Sequence, residues 1–279
     1  MIWNSRPTPP PCRRPVDRWK MRLRRFLLIG FLLVWGTSAH GGDPGIADKG
    51  PGLGPGSATS FLYTGKRFGL PVLKASIKIE NGSFEQGKPV CRIKAKIDSI
   101  NLGFLFHMNN HFTSIVETDT FTPIRYVKEI DQGGFLRETK NYRQTLTFDA
   151  KNGRVLVEQK GATREVSLPS HAHDPLSMFA RHYLKEELRP GQDIPMSIYD
   201  GVKLREILFR SRKERVKTDL YGEIEAVCLE STTSFSTFGD KEGQIRIWYT
   251  ADKEKTPVLI ELDLPVGDVV FDLDRVEQN

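Results

Sequence analysis

The chain has 279 residues, 38% of them hydrophobic and 27% charged, with 41 basic against 35 acidic side chains and a pI near 9.2. Taken whole, the net charge of +6 suggests affinity for polyanions. Eight of the basic residues (Arg6, Arg13, Arg14, Arg18, Lys20, Arg22, Arg24, Arg25) fall within residues 1–39 beside Asp17 alone, and removing that stretch leaves 33 basic and 34 acidic residues, a balance that excludes nucleic acid as the partner.

The first 39 residues have the parts of a secretory signal: the basic Arg22-Leu23-Arg24-Arg25, the apolar run Phe26 to Trp35, and the small-residue site Thr37-Ser38-Ala39. A run of ten is too short to span a bilayer, which takes about 20 apolar residues. The expectation is export to the periplasm, cleavage after Ala39, and no transmembrane segment in the mature chain. Initiation at Met21 would give a leader of ordinary length, and the Arg24-Arg25 pair is only an incomplete twin-arginine pattern. No cysteine follows the apolar run, which disfavours a lipoprotein anchor. From His40 to Thr59 half of the residues are Gly or Pro, a flexible tether ahead of a single β-rich domain over residues 60–279.

Beyond the tether the hydrophobic period is two. Pro71 to Glu80 alternates, and Asn81-Gly82 has the composition of a hairpin turn. In Val90 to Ser99, Cys91, Ile93, Ala95 and Ile97 share one face while Arg92, Lys94, Lys96 and Asp98 share the other, a strand with one wet side. Leu102, Phe104, Phe106 and Met108 line one face of the next strand, continued by Phe112 and Val116. Tyr126–Ile130, Tyr142–Phe148 and Arg154–Glu158 follow.

Residues 174–188 then change to a helical period: Asp174 caps, Pro175 suits the first helical position, and Leu176, Phe179, Ala180, Tyr183, Leu184 and Leu188 form one stripe before Pro190-Gly191. Strands return at Pro195–Tyr199, Leu204–Arg210, Glu214–Leu220, Glu223–Thr233, Gln244–Thr250, Pro257–Leu264 and Val269–Leu273. The pattern predicts an all-β, mainly antiparallel fold, a curved half-barrel or barrel-like sheet with one amphipathic helix packed on it.

Three stretches together carry a family likeness: Gly65 to Ile79 with Gly69-Leu70-Pro71-Val72-Leu73-Lys74-Ala75, the helix run Asp174 to Arg181 leading to Leu188-Arg189-Pro190-Gly191, and Ile247-Trp248-Tyr249-Thr250-Ala251-Asp252 followed by Pro257 to Ile260. In their order and spacing they resemble the bacterial exported family known as domain of unknown function 3108. The resemblance implies an exported β-rich protein and brings no catalytic residues. Helices of that family often carry Tyr where Phe179 or Ala180 stands here.

Several residue sets invite a chemical reading. His171, His173 and His182 are the best metal candidates, although Asp174 between them is better used as a cap. His107 and His111 are four apart in a strand-patterned region, where they do not share a helical face. Cys91 and Cys228 remain after the leader, either as two buried thiols or as a disulfide, which needs Cα atoms within about 7 Å. No Gly-x-Ser-x-Gly, His-Glu-x-x-His, phosphate-loop or dinucleotide pattern occurs, so neither catalytic residue nor cofactor is assigned; Glu117 with Asp119 is the plausible carboxylate pair of a hydrolase alternative. Arg210 to Lys217 is a basic run that could meet lipid head groups or form the wet side of a hairpin.

The aromatic stripe has two readings. In a closed sandwich it is plain core. In a half-barrel, Phe104, Phe106, Met108 and Phe112 line a cavity for a lipid or other apolar ligand, with Phe179, Tyr183 and Leu184 of the helix as a lid. That arrangement resembles the periplasmic lipoprotein-carrier folds at the level of fold. The expected role is non-catalytic binding of a lipid or another envelope component, with a structural or assembly factor lacking a cavity as the alternative.

Overall fold

Alternation of apolar and polar residues puts one side of each strand out of water, and a long run of such strands satisfies its backbone by pairing with its sequence neighbours. A computed structural model of the chain describes residues 54, 56–85, 87–100, 106–135, 137–235, 241–264 and 267–279. The expected leader, most of the tether, and Leu102 and Phe104 lie outside these residues. The strands are β1 (Ala58–Arg67), β2 (Leu70–Glu85), β3 (Lys88–Ser99), β4 (His107–Glu117), β5 (Pro123–Gly134), β6 (Arg137–Asp149), β7 (Arg154–Gln159) and β8 (Ala162–Ser167). After helix α1 (Pro175–Leu184) come β9 (Asp193–Tyr199), β10 (Leu204–Thr218), β11 (Gly222–Phe235), β12 (Lys241–Thr250), β13 (Pro257–Asp263) and β14 (Val269–Gln278).

All fourteen strands form one antiparallel sheet in the order β8-β7-β6-β5-β4-β3-β2-β1-β14-β13-β12-β11-β10-β9. The two chain ends of the domain thus meet in the middle of the sheet, where β1 pairs β14, and the sheet's edges are β8 and β9. No ladder joins those edges, so the sheet is not closed. Its edges nevertheless approach: Arg164 of β8 donates to the Gly201 carbonyl just beyond β9, at 2.7 Å. The fold is the curved, barrel-like antiparallel sheet with one packed helix that the period-two pattern predicts.

Cross-strand partners show which side faces in. Ser114 pairs Ile93 and Tyr126, Ile93 pairs Ile79, and Tyr126 pairs Leu146, all buried. Lys94, Lys96 and Asp98 alternate with them on the outer side. Helix α1 lies on the inner side against β3, β4 and β9, with Tyr183 edge-on to Phe61 at a centroid distance of 5.2 Å.

Three local expectations are corrected and one unforeseen strand is added. Helix α1 ends at Leu184, short of Leu188, because the Arg181 carbonyl accepts the amides of both Lys185 and Glu186 while Lys255 Nζ takes the Glu186 carbonyl at 2.9 Å. Asn81-Gly82 forms no hairpin; it is a register shift inside β2, since the Asn81 amide and carbonyl pair with Ser57 and Gly56. Leu204–Arg210 and Glu214–Leu220 are one strand, β10. Strand β8, which has no apolar alternation to betray it, adds an edge. The basic run of β10 is paired on both faces of its hairpin with β11: Arg212 bonds Glu230 at 2.9 Å on one face and Lys213 bonds Glu225 at 2.8 Å on the other.

Candidate functional site

The N-terminus of α1 gathers several buried polar side chains. The Asp174 carboxylate, fully buried, accepts the amides of Leu176 (2.8 Å) and Ser177 (3.0 Å) and the hydroxyl of Ser114 on β4 (2.7 Å). Ser177 Oγ returns the bond by accepting the Asp174 amide, a reciprocal cap. Burial pushes the Asp174 carboxyl above its usual range, against the pull of these donors. The helix is thereby fastened to the sheet through one side chain.

Of the three candidate metal ligands, His173 lies 3.2 Å from Ser177 Oγ and 3.2 Å from Arg181, His171 lies 3.2 Å from Ser197 Oγ, and His182 stands edge-on to Phe209. They do not converge, and among the described residues no three His, Cys, Asp or Glu side chains gather as a metal site. Burial, reinforced by Arg181, holds the His173 imidazole down at about 4 and that of His182 at about 3. Both His182 nitrogens are buried without a hydrogen-bond partner. Glu117 accepts a bond from Thr120, and the adjoining loop sends Phe121 into the core.

A second polar group joins the sheet's two edges. Lys128 of β5 donates to the Asp200 carbonyl at 2.6 Å, Gln144 of β6 to the Gly201 carbonyl at 3.4 Å, and Arg164 to the same carbonyl and to the Tyr199 hydroxyl at 3.1 Å. Lys128 is buried, and desolvation lowers its ammonium pKa. Side chains thus close the seam that backbone pairing leaves open. Sequence reasoning missed this group because all its acceptors but the Tyr199 hydroxyl are main-chain carbonyls, which carry no side-chain signature.

The expected lid residues are core: Phe179 and Tyr183 are each 4% exposed, and Leu184 packs beside them. The strand residues behave differently. Phe106, Met108 and Phe112 are half-buried, with Phe112 stacked on Tyr126 at 6.5 Å. Ala75, Ile77, Ala95 and Ile97 share the inner side with Phe112 and are half-buried as well. A half-covered apolar band therefore runs over β2, β3 and β4. Cys91 on β3 and Cys228 on β11 are free buried thiols, not a disulfide, and burial raises each to about 12, which keeps them protonated. A cavity of about 400 Å³ opens on the outer side between β1, β2, β3 and β14, where its Lys74 and Lys96 are already paired with Asp274 and Asp98.

The family profile described as "Protein of unknown function (DUF3108)" matches residues 60–274, almost the whole sheet. The chain belongs to the DUF3108 family. Among solved structures, the DUF3108 chain is similar to a beta-barrel-like protein of domain of unknown function DUF1849 from Brucella abortus, with a TM-score of 0.52 and 10% identity over 81% of this chain and 99% of that one. At that identity the likeness is one of fold. A search of curated proteins finds no match to the DUF3108 chain. No helix among its described residues is long and apolar enough to cross a membrane.

Proposed function

We propose that this DUF3108 protein is an exported, non-catalytic component of the cell envelope that holds a lipid or similar apolar molecule against the inner side of β2, β3 and β4. The observation that carries the reading is the half-burial of Ala75, Ile77, Ala95, Ile97, Met108 and Phe112 on one side of the sheet, where β-strand interiors are ordinarily either sealed or wet. Helix α1 forms the floor of this space and not its lid, since its own stripe is spent on the core. The candidate histidines are dispersed, His173 against Ser177, His171 against Ser197 and His182 against Phe209, so what the site offers a ligand is shape and apolar contact.

The test is solvent extraction and mass spectrometry of the chain purified from its host, alongside Phe112→Glu. An apolar molecule recovered at near-equal stoichiometry from the parent and lost from the variant at unchanged melting temperature is the expected result. A parent that yields none, or a variant that unfolds, makes Phe112 ordinary core. Export rests on the three-part leader and is tested by N-terminal sequencing of the envelope fraction, which should begin at His40. An assembly factor without a ligand is the second reading, favoured by the burial of Leu176, Phe179, Ala180 and Tyr183 of the helix stripe.

A further inference from the structure

Every strand pairing is antiparallel, so the turns alternate between two ends of the sheet. The β1–β2, β3–β4, β5–β6 and β9–β10 turns fall at one end, toward which Met108 and the half-covered band open. That end also bears large apolar side chains in water: Phe68 is 84% exposed, Leu70 67% and Phe135 73%, with Val202 at 55% on the β9–β10 turn. Phe68 is the least expected of them. It holds φ 52 as the residue before Gly69, a left-handed position that Asn, Asp or Gly adopts without strain and an aromatic residue does not. No burial inside the domain compensates that cost, whereas Phe121, also at positive φ, is 3% exposed.

We propose that this end docks on the surface of a phospholipid bilayer, with Phe68, Leu70 and Phe135 entering the acyl boundary. Cations sit where phosphates would meet them: Arg67 lies under the Phe68 ring at 5.1 Å, Lys203 follows Val202, and Lys160 occupies in the β7–β8 turn the position that Phe68 has in its own. Asp263 and Asp268, side by side at the β13–β14 turn, are a counterweight, so the attraction is chiefly apolar. The tips belong to hairpins separated in the sheet by β3 and β4, which places them about 19 Å apart along it. Separate protruding tips suit a fluid layer better than a fitted protein socket. Docking would set the half-covered band against the membrane, the source of the ligand class proposed above.

The experiment places single tryptophans at the two ends of the sheet in the mature protein beginning at His40, Phe68→Trp and Phe84→Trp, the latter at an open site of 73% exposure in β2 beside the β2–β3 turn. Emission above that of the parent is followed with vesicles of phosphatidylethanolamine and phosphatidylglycerol, brominated or not. Loss of the Phe68→Trp signal in brominated vesicles, with Phe84→Trp unaffected, is the expected outcome. Phe68→Asn/Leu70→Ser, in which Asn suits the backbone, should also abolish the end-specific quenching of a Phe135→Trp reporter. Equal quenching at both ends, or none at position 68, overturns the proposal, including the case in which the tips hold a protein instead. Extraction reads the interior and quenching reads the tips, so either reading can fail without the other.

Discussion

Gly201→Ala is the sharpest probe of how the open sheet is held shut. Gly201 has φ +89, a conformation that costs an L-residue about 1–2 kcal/mol. Its added methyl would overlap Gln144 Oε1 and stand 3.0 Å from Gln144 Cδ and 3.1 Å from Leu146 Cδ1. Leu146 is fully buried and Gln144 is 3% exposed, so neither can swing into water, and overpacking of this kind costs about 1–3 kcal/mol. The two contributions give about 2–5 kcal/mol, before counting any displacement of the carbonyls that Lys128 and Arg164 hold. Urea unfolding of Gly201→Ala, Gln144→Ala and the double variant separates them. Truncating Gln144 relieves the overlap and leaves the backbone cost, so the double variant should be more stable than the sum of the singles by about 1–2 kcal/mol. Strict additivity, or a Gly201→Ala cost within about 0.5 kcal/mol, would refute the view that the seam is packed around this residue.

Asp174→Ala removes a cap worth about 1 kcal/mol and strands the buried Ser114 hydroxyl, for a loss of about 2–4 kcal/mol; Ser114→Ala should cost about half as much, and the pair should be coupled in a denaturation cycle. His182 and His173 are held neutral in the fold, at about 3 and about 4, while the unfolded chain protonates them near 6.5. Their contribution is intact above about 6.5 and is lost as the pH falls toward those folded values, by about 2 kcal/mol for each group at pH 5. His182→Leu, which removes two unpartnered buried nitrogens, should shrink the stability difference between pH 7 and pH 5 by that amount when followed by urea midpoints. An unchanged pH slope would show that His182 is hydrated in solution.

The parts of the fold legible in the sequence were those governed by neighbours in sequence. Asp174, Pro175 and the stripe from Leu176 to Tyr183 specify a helix start and its buried side, and the structure has both. The helix end was not legible, because Leu188 continues the apolar period while Lys255, 69 residues beyond Glu186, claims the Glu186 carbonyl. Asn81-Gly82 has turn composition, yet pairing with Gly56 and Ser57 carries β2 past it. The wet side of β3 was plain from alternating Lys and Asp, but which apolar residues are sealed and which half-open depends on where the helix rests. Phe179 and Phe112 look alike in sequence, and only the first lies on the element that fills the floor.

That division of the interior follows from one buried hydrogen-bonded anchor. A helix laid on a curved sheet by apolar contact alone could slide along it, because one greasy strand face is much like the next. The bond from Ser114 to Asp174 removes this freedom: Ser114 occupies one row of β4, three residues from the strand's end at Glu117, and the carboxylate that caps the helix has to meet it there. The parallel bridge of His173 to Ile198 fixes the same segment to the edge strand β9, whose next residues receive Lys128, Gln144 and Arg164. Helix position and seam closure therefore share the segment Ile198–Gly201. Loosening the cap should release the seam as well, so Arg164→Ala and Asp174→Ala should be coupled although the two side chains are not bonded to each other, whereas independent costs would mean that the sheet's edges hold together without the helix.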